Sequence, residues 1–246
     1  MPLTAILSNI KEMCKLVIIL PIRRIFLVLL LLLSLNCLFG QDIITAERFL
    51  EMVSEHYGTI RDYEADVAIR SGNSDMVGVL SHLSPSFLRI DFTRPVDQAI
   101  VFNGEVLTIY LPEFRATLSQ TTSQRRGASA ASLASAQGLT MLRRNYVPSY
   151  DTGPTPVPLD ANSRERVIKL RLTRRSVAEG FREIILSVNP DTMLIRRLEG
   201  RTIADSEVRF DFTNVKVNMG IPELRFLYDA PPTANMYHNF LFRDTD

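Results

Sequence analysis

The chain has 246 residues, 46% of them hydrophobic, and 28 Lys and Arg against 27 Asp and Glu give a net charge of +1. That balance excludes the basic excess of a nucleic-acid-binding surface. Both cysteines, Cys14 and Cys37, fall in the first forty residues, so no disulfide framework is expected in the remainder.

Lys11, Lys15, Arg23 and Arg24 precede the apolar run Ile25–Leu35, and Leu38-Phe39-Gly40-Gln41 follows it. A positive flank, a short apolar run and a small residue read as a secretory signal, residues 1–40, cleaved after Gly40. A rival reading is a loose lipobox, Leu33-Ser34-Leu35-Asn36-Cys37, which would place a lipid on Cys37. Another is an uncleaved anchor, although the run is shorter than the roughly 20 residues a membrane span needs. All three export the remainder. Without the leader the chain keeps 24 basic and 26 acidic groups. Residues 41–246 are long enough to bury one domain's core.

Asp42–Tyr57 reads as a helix, with Thr45 as N-cap, Gly58 as its stop, and Phe49, Leu50, Val53 and Tyr57 on one face. Tyr63–Arg70 alternates, with Tyr63, Ala65, Val67 and Ile69 on one side. Met76–His82 returns after a polar turn at Ser71–Asp75. Phe87–Thr93 sets Leu88, Ile90 and Phe92 against Arg89, Asp91 and Thr93, the period of a half-buried strand. Asp97–Phe102 and Glu105–Leu111 flank Asn103-Gly104, a pair suited to a two-residue type I′ turn. That turn would pair Val101 with Val106 and Ile100 with Leu107. Ile100, Leu107, Ile109 and Leu111 then share one face, and Val101, Val106 and Tyr110 the other. Pro85, Pro95 and Pro112 sit at strand ends, where a missing N–H costs least. Ala116–Gln120 closes this block.

Thr121–Asn145 differs in kind. Gly127–Gly138 is mostly Ala, Ser and Gly, and Leu139, Met141 and Leu142 follow. The run predicts a weakly held helix broken or kinked at Gly138, either a surface element or a movable cover. Asp151–Pro158 reads as a stiff connector. Arg166–Leu172, Arg182–Val188, Met193–Arg201 and Glu207–Val217 then read as strands, with a turn at Asn189–Thr192. Inside the last, apolar parity runs Val208, Phe210, Phe212 and then shifts to Val215, Val217, which predicts a β-bulge near Thr213-Asn214. Leu224, Phe226 and Tyr228 read as the final strand, and the apolar tail Ala234–Asp246 is expected to pack back. The pattern is α+β and mainly antiparallel: ten or eleven strands in a strongly curved sheet, closed or nearly so.

Ser84-Pro85, Arg89, Asp91-Phe92 and Pro95, followed by Gln98, Phe102-Asn103-Gly104-Glu105, Leu107, Tyr110 and Pro112, resemble the outer-membrane lipoprotein carrier (LolA-like) family in order and spacing. The likeness extends upstream through Phe49–Ile69 and downstream to Phe226–Pro232. It implies a strongly curved, unclosed half β-barrel covered by short helices. It further implies a periplasmic carrier that binds the acyl chains of lipoproteins in an apolar trough. Such a carrier works as a monomer between an inner-membrane lipoprotein-releasing transporter and an outer-membrane acceptor. The trough is expected at Leu88, Ile90, Phe92, Ile100, Leu107 and Ile109, and its lids at Phe49, Val53, Leu139 and Leu142. In the family an arginine usually precedes the proline that opens the strand block and ties the lid down. Here that position is Ser84, so Arg89 or His82 is expected to take over the tie.

The catalytic inventory is poor. His56, His82 and His238 lie far apart, and no H-E-x-x-H, G-x-S-x-G, Walker A or G-x-G-x-x-G pattern occurs. No enzyme, cofactor or metal site is expected. Two other readings remain open: a lipid- or lipoprotein-sensing module of the same fold, and a membrane-tethered lipoprotein acceptor acylated at Cys37. A core filled by its own side chains would need no ligand at all.

Overall fold

The computed structural model describes residues 44–121 and 134–240. The expected leader, Cys37, residues 122–133 and the last six residues lie outside these.

Helix α1 spans Ala46–Thr59. Thr45 caps it as expected, its Oγ1 accepting the Arg48 N–H at 3.2 Å. Phe49, Leu50, Val53 and Tyr57 are buried, the stripe its spacing calls for. Gly58 does not stop the helix. The turn continues through Thr59, and Ile60 ends it in an extended conformation.

Strands β1 (Asp62–Ser71), β2 (Ser74–Leu83), β3 (Phe87–Arg94), β4 (Ala99–Phe102), β5 (Val106–Leu111) and β6 (Ala116–Thr121) follow as an antiparallel meander. The β4–β5 register corrects the hairpin expectation. Phe102 faces Leu107 and Ile100 faces Ile109. The connection is a four-residue turn, Asn103–Val106, closed by the Asn103 N–H on the Val106 carbonyl at 3.3 Å. The Asn103 side chain accepts the N–H groups of Glu105 and Val106 at 3.1 and 2.8 Å, an Asx turn that competes with the two-residue loop. The shift is two residues, so every side chain keeps its expected face.

Helix α2 (Ala136–Asn145) comes next, with Ser135 as N-cap accepting the Gly138 N–H at 3.0 Å. Gly138 therefore sits inside the first turn and is buried; it neither breaks nor kinks the helix. Strand β7 (Tyr146–Tyr150) was not anticipated. Its Pro148 suits the sheet edge it occupies. The Asp151–Pro158 connector is tied down by β8 (Val157–Pro158), which pairs with β9 (Arg166–Arg174). Strands β10 (Phe181–Val188), β11 (Ile195–Thr202) and β12 (Glu207–Val217) complete a second antiparallel run.

β12 pairs with β1 and joins the two runs into one sheet. The expected bulge is there: Asn214 and Val215 stand opposite Ala65 alone, with Asn214 at φ 52° and its Nδ2 donating to Asp66 at 2.6 Å. With a last strand, β13 (Asn235–His238), the strand order is β13-β6-β5-β4-β3-β2-β1-β12-β11-β10-β9-β7. The sheet is mostly antiparallel and does not close into a barrel.

The run Leu224–Tyr228 is not a strand. Glu223–Phe226 forms a 3-10 turn on the outer face of β3. Arg89 Nη1 donates to the carbonyls of Arg225 and Leu227 at 2.9 and 3.2 Å, so a guanidinium replaces a ladder partner. Phe226 is buried against Phe87, ring centroids 5.5 Å apart, while Leu224 is 74% exposed. The tail does return, but through its backbone. β13 (Asn235–His238) pairs with β6 in parallel, and Met236 and Tyr237 stay half exposed.

Two glycine substitutions test this packing in opposite directions. Gly78 faces Phe92, and a Cβ there would lie 2.9 Å from the Phe92 Cα and closer still to the Asp91 carbonyl. Gly78→Ala should cost about 2 kcal/mol or more in chemical denaturation. Gly58→Ala, in an exposed helical turn with open space around it, should stabilise by about 0.5–1 kcal/mol.

Candidate functional site

Cross-strand pairing lines up side chains on the face that carries the helices. One row runs Tyr63, His82, Leu88, Phe102, Leu107, Gln120. The neighbouring row runs Ala65, Leu80, Ile90, Ile100, Ile109, Leu118 and is aliphatic from end to end. Residues directly opposite have Cβ atoms about 5 Å apart, so each row is a continuous stripe across six strands.

The stripe divides by burial. Leu80, Leu88, Ile90 and Phe92 are at most 5% exposed and belong to the core, with Phe49, Val53, Leu139 and Leu142 of the two helices. Ile100, Phe102, Leu107, Ile109, Leu111 and Leu118 are only half buried. Ile100 and Phe102 touch the core's edge, whereas Leu107, Ile109, Leu111 and Leu118 lie outside it. The six residues expected to line a trough therefore sort into two groups. Leu88, Ile90 and Phe92 hold the domain together, and Ile100, Leu107 and Ile109 are accessible. Phe102, Leu111 and Leu118 join the accessible group. Leu118 could have been found from sequence only with the β5–β6 register in hand.

The expected lid residues are all buried, so the helices are firmly seated. Their ties are polar as well. The Tyr63 hydroxyl donates to the Ala134 carbonyl, just before α2, at 2.8 Å. Arg143 of α2 bridges to Glu51 of α1 at 2.7 Å. The Tyr57 hydroxyl accepts the Ile195 N–H at 3.0 Å, and its ring meets Tyr63 edge-on. Burial pushes the Tyr57 hydroxyl up to about 12 and the Tyr63 hydroxyl well above its ordinary value. Both stay protonated, as the Tyr63 donation to Ala134 requires.

Neither residue expected to replace the family's arginine makes this tie. Arg89 points to the outer face, where it holds Asp91 and the carbonyls of Arg225 and Leu227. The His82 side chain is buried but makes no hydrogen bond. Its ring stacks on Tyr63, centroids 5.1 Å apart. Tyr63 supplies the tie. Its signal was visible: a tyrosine at an inward strand position must find a partner for its hydroxyl.

Residues 71–229 match the family model of the outer membrane lipoprotein carrier protein LolA. The chain belongs to the LolA family. No curated protein matches the sequence. Among solved structures, an uncharacterized conserved protein from Thermus thermophilus shares the fold with a TM-score of 0.51 at 13% identity, over 78% of this chain and 98% of that one. The MucA/MucB complex of Pseudomonas aeruginosa aligns at 14% identity over 77% of this chain and 62% of the other, with a TM-score of 0.47. The Mycobacterium tuberculosis lipoprotein LppX aligns at 10% identity over 72% and 97%, with a TM-score of 0.45. In this LolA-family chain the half-buried aliphatic stripe over β4–β6 is the candidate site.

Two outcomes follow for the polar ties. Tyr63→Phe removes the bond to Ala134. It should speed hydrogen exchange of the Leu139–Leu142 amides several-fold while costing about 1 kcal/mol globally. Burial, opposed by the nearby Asp62 charge, lowers the His82 pKa from its ordinary 6.5 to about 4. The unfolded chain thus takes up a proton that the folded one refuses. Stability from this group is complete above about pH 6.5 and falls as pH drops toward 4, by about 2–4 kcal/mol in all. Urea titrations of wild type and His82→Phe from pH 7 to 4 should diverge by that amount.

Proposed function

We propose that the chain is an exported, periplasmic carrier that takes up the acyl chains of lipoproteins along Ile100, Phe102, Leu107, Ile109, Leu111 and Leu118. One observation carries this reading. An aliphatic stripe continuous with the core emerges half buried on the inner face of an unclosed sheet. Membership of the LolA family supports it, as does the signal-like pattern of residues 1–40. Apolar side chains left partly in water gain when a hydrocarbon covers them, by about 0.8 kcal/mol per buried CH₂.

The helices close off the other part of the same face. Their ties through Tyr63–Ala134 and Arg143–Glu51 are the contacts a shift of α2 would have to break. The partners implied are acylated lipoproteins, an inner-membrane releasing transporter that loads them and an outer-membrane acceptor. The chain acts as a monomer and without catalysis.

The test has two arms. Mass spectrometry of an organic extract of the natively purified protein should find acylated species at near-stoichiometric amounts. Ile109→Glu should lower bound lipid at least tenfold with a thermal midpoint within a few degrees of wild type, because Ile109 lies outside the core. Ile90→Glu cannot serve, since Ile90 is buried in the core and the variant would unfold. Empty wild-type protein, or full loading of the Ile109 variant, would sink the reading.

A further inference from the structure

Among the described residues, the buried side-chain polar atoms without a hydrogen-bond partner belong to Ser81, His82, Thr117 and Ser187. Three of these are hydroxyls on the outer face. Ser81 stands opposite Glu64 and Arg89, Thr117 opposite Tyr110, and Ser187 opposite Lys169 and Arg197. A hydroxyl can rotate toward a nearby carbonyl. His82 differs on each count. It lies on the inner face, it is 5% exposed, and both Nδ1 and Nε2 lack partners. Its ring stacks on Tyr63, and neither nitrogen meets a partner there. A buried donor or acceptor left unmade costs about 1–3 kcal/mol.

His82 also stands in the row that leads to the candidate site. Leu88 faces it on β3, then Phe102 and Leu107 follow. Strands are spaced about 4.8 Å apart, so His82 and Leu107 are roughly 14 Å apart along one apolar path. The imidazole is uncharged at neutral pH, because burial depresses its pKa, and it offers one N–H donor and one bare nitrogen. An anion brought here would be a buried charge without a counter-ion, and Asp62 nearby would repel it. An uncharged carbonyl needs only the N–H.

We propose that His82 is the polar anchor of the site, donating a ring N–H to the uncharged ester or amide carbonyl of an acyl ligand whose chain lies along the Leu88–Phe102–Leu107 row. This rests on the carrier reading and deepens it: the ligand is an acyl ester or amide, and free fatty acid is disfavoured. Leu88 and His82 are closed to solvent, 2% and 5% exposed, and the Tyr63 stacked on His82 bonds the Ala134 carbonyl just before α2, so a carbonyl reaching His82 has to open this cover and break the Tyr63–Ala134 bond. Loading and lid release then become one event.

Fluorescence titration of the delipidated full chain with cis-parinaric acid and its methyl ester, at pH 7, tests this. Wild type should bind the ester. His82→Phe, which keeps the stack on Tyr63, should weaken the ester about tenfold, one net hydrogen bond, and change the acid less than twofold. Equal weakening of both probes, or of neither, overturns the anchor and leaves the carrier reading standing. Binding of neither probe by wild type overturns both. Competition by dioleoylglycerol and by a diacylglyceryl-cysteine peptide then tells a glycerolipid from a lipoprotein as the source of the carbonyl. A second measurement does not need the variant. In wild type labelled with ¹⁵N-histidine, the His82 ring signal is assigned by elimination with His56→Gln and His238→Gln. It should move on adding the ester and stay put on adding dodecane. An unmoved ring signal at saturating ester overturns the anchor.

Discussion

A sheet this wide has more apolar face than the two short helices among the described residues can cover. Twelve strands on one path span about 50 Å at the usual spacing, whereas helices of 14 and 10 residues are about 21 and 15 Å long. The shortfall falls where the sequence leaves it. β1–β3 and β9–β12 share a core with the helices, and the β4–β6 end of the inner face stays half buried. The filled region and the candidate site are thus two parts of one surface, built by the same alternation.

That division depends on the β1–β12 seam. Two meanders of six and five strands would each have an inner edge to protect. Pairing the first strand with the twelfth removes both edges and brings Val67 and Ile69 beside Phe212 and Phe210. The bulge at Asn214-Val215 lets Val215 reach the core after the parity change. On the outer face, the stretch after β12 is clasped by charge as well as by Phe226: Arg89 and Arg225 both bind Asp91, at 2.9 and 2.6 Å. With no cysteine among residues 41–246, the stretch is held by these contacts and by Phe226 rather than by a disulfide.

Much of this is legible from period alone. Glu207–Val217 can be read to the residue, because eleven alternating positions and a parity break leave little choice. The β4–β5 faces follow correctly although the turn does not, since an error of two residues preserves every side-chain direction. What period lacks is context. Leu224, Phe226 and Tyr228 alternate like a strand, yet no free edge lies beside them, and Arg89 offers their carbonyls another partner. Tyr146–Tyr150 escapes a reading by period because Pro148 argues against a strand everywhere except at an edge. The residues expected to line a trough share the inner face, but alternation cannot tell a covered position from an open one. Ile90 and Ile109 have the same sequence signature, yet Ile90 is buried in the core and Ile109 is half buried outside it.

Partial cover has a consequence for any ligand. If the stripe carries acyl chains as proposed, complete burial of a sixteen-carbon chain would contribute on the order of 12 kcal/mol at 0.8 per CH₂, a dissociation constant near 1 nM. Half that burial corresponds to tens of micromolar. A carrier must let go of what it binds, so a site roofed on one side only suits exchange better than a sealed cavity. The affinity forgone along the chain can be recovered at its head, where a single uncharged donor adds selectivity without a fixed charge. The half-open stripe and the unpartnered imidazole then answer the same demand: hold a hydrocarbon weakly, and recognise what it is attached to.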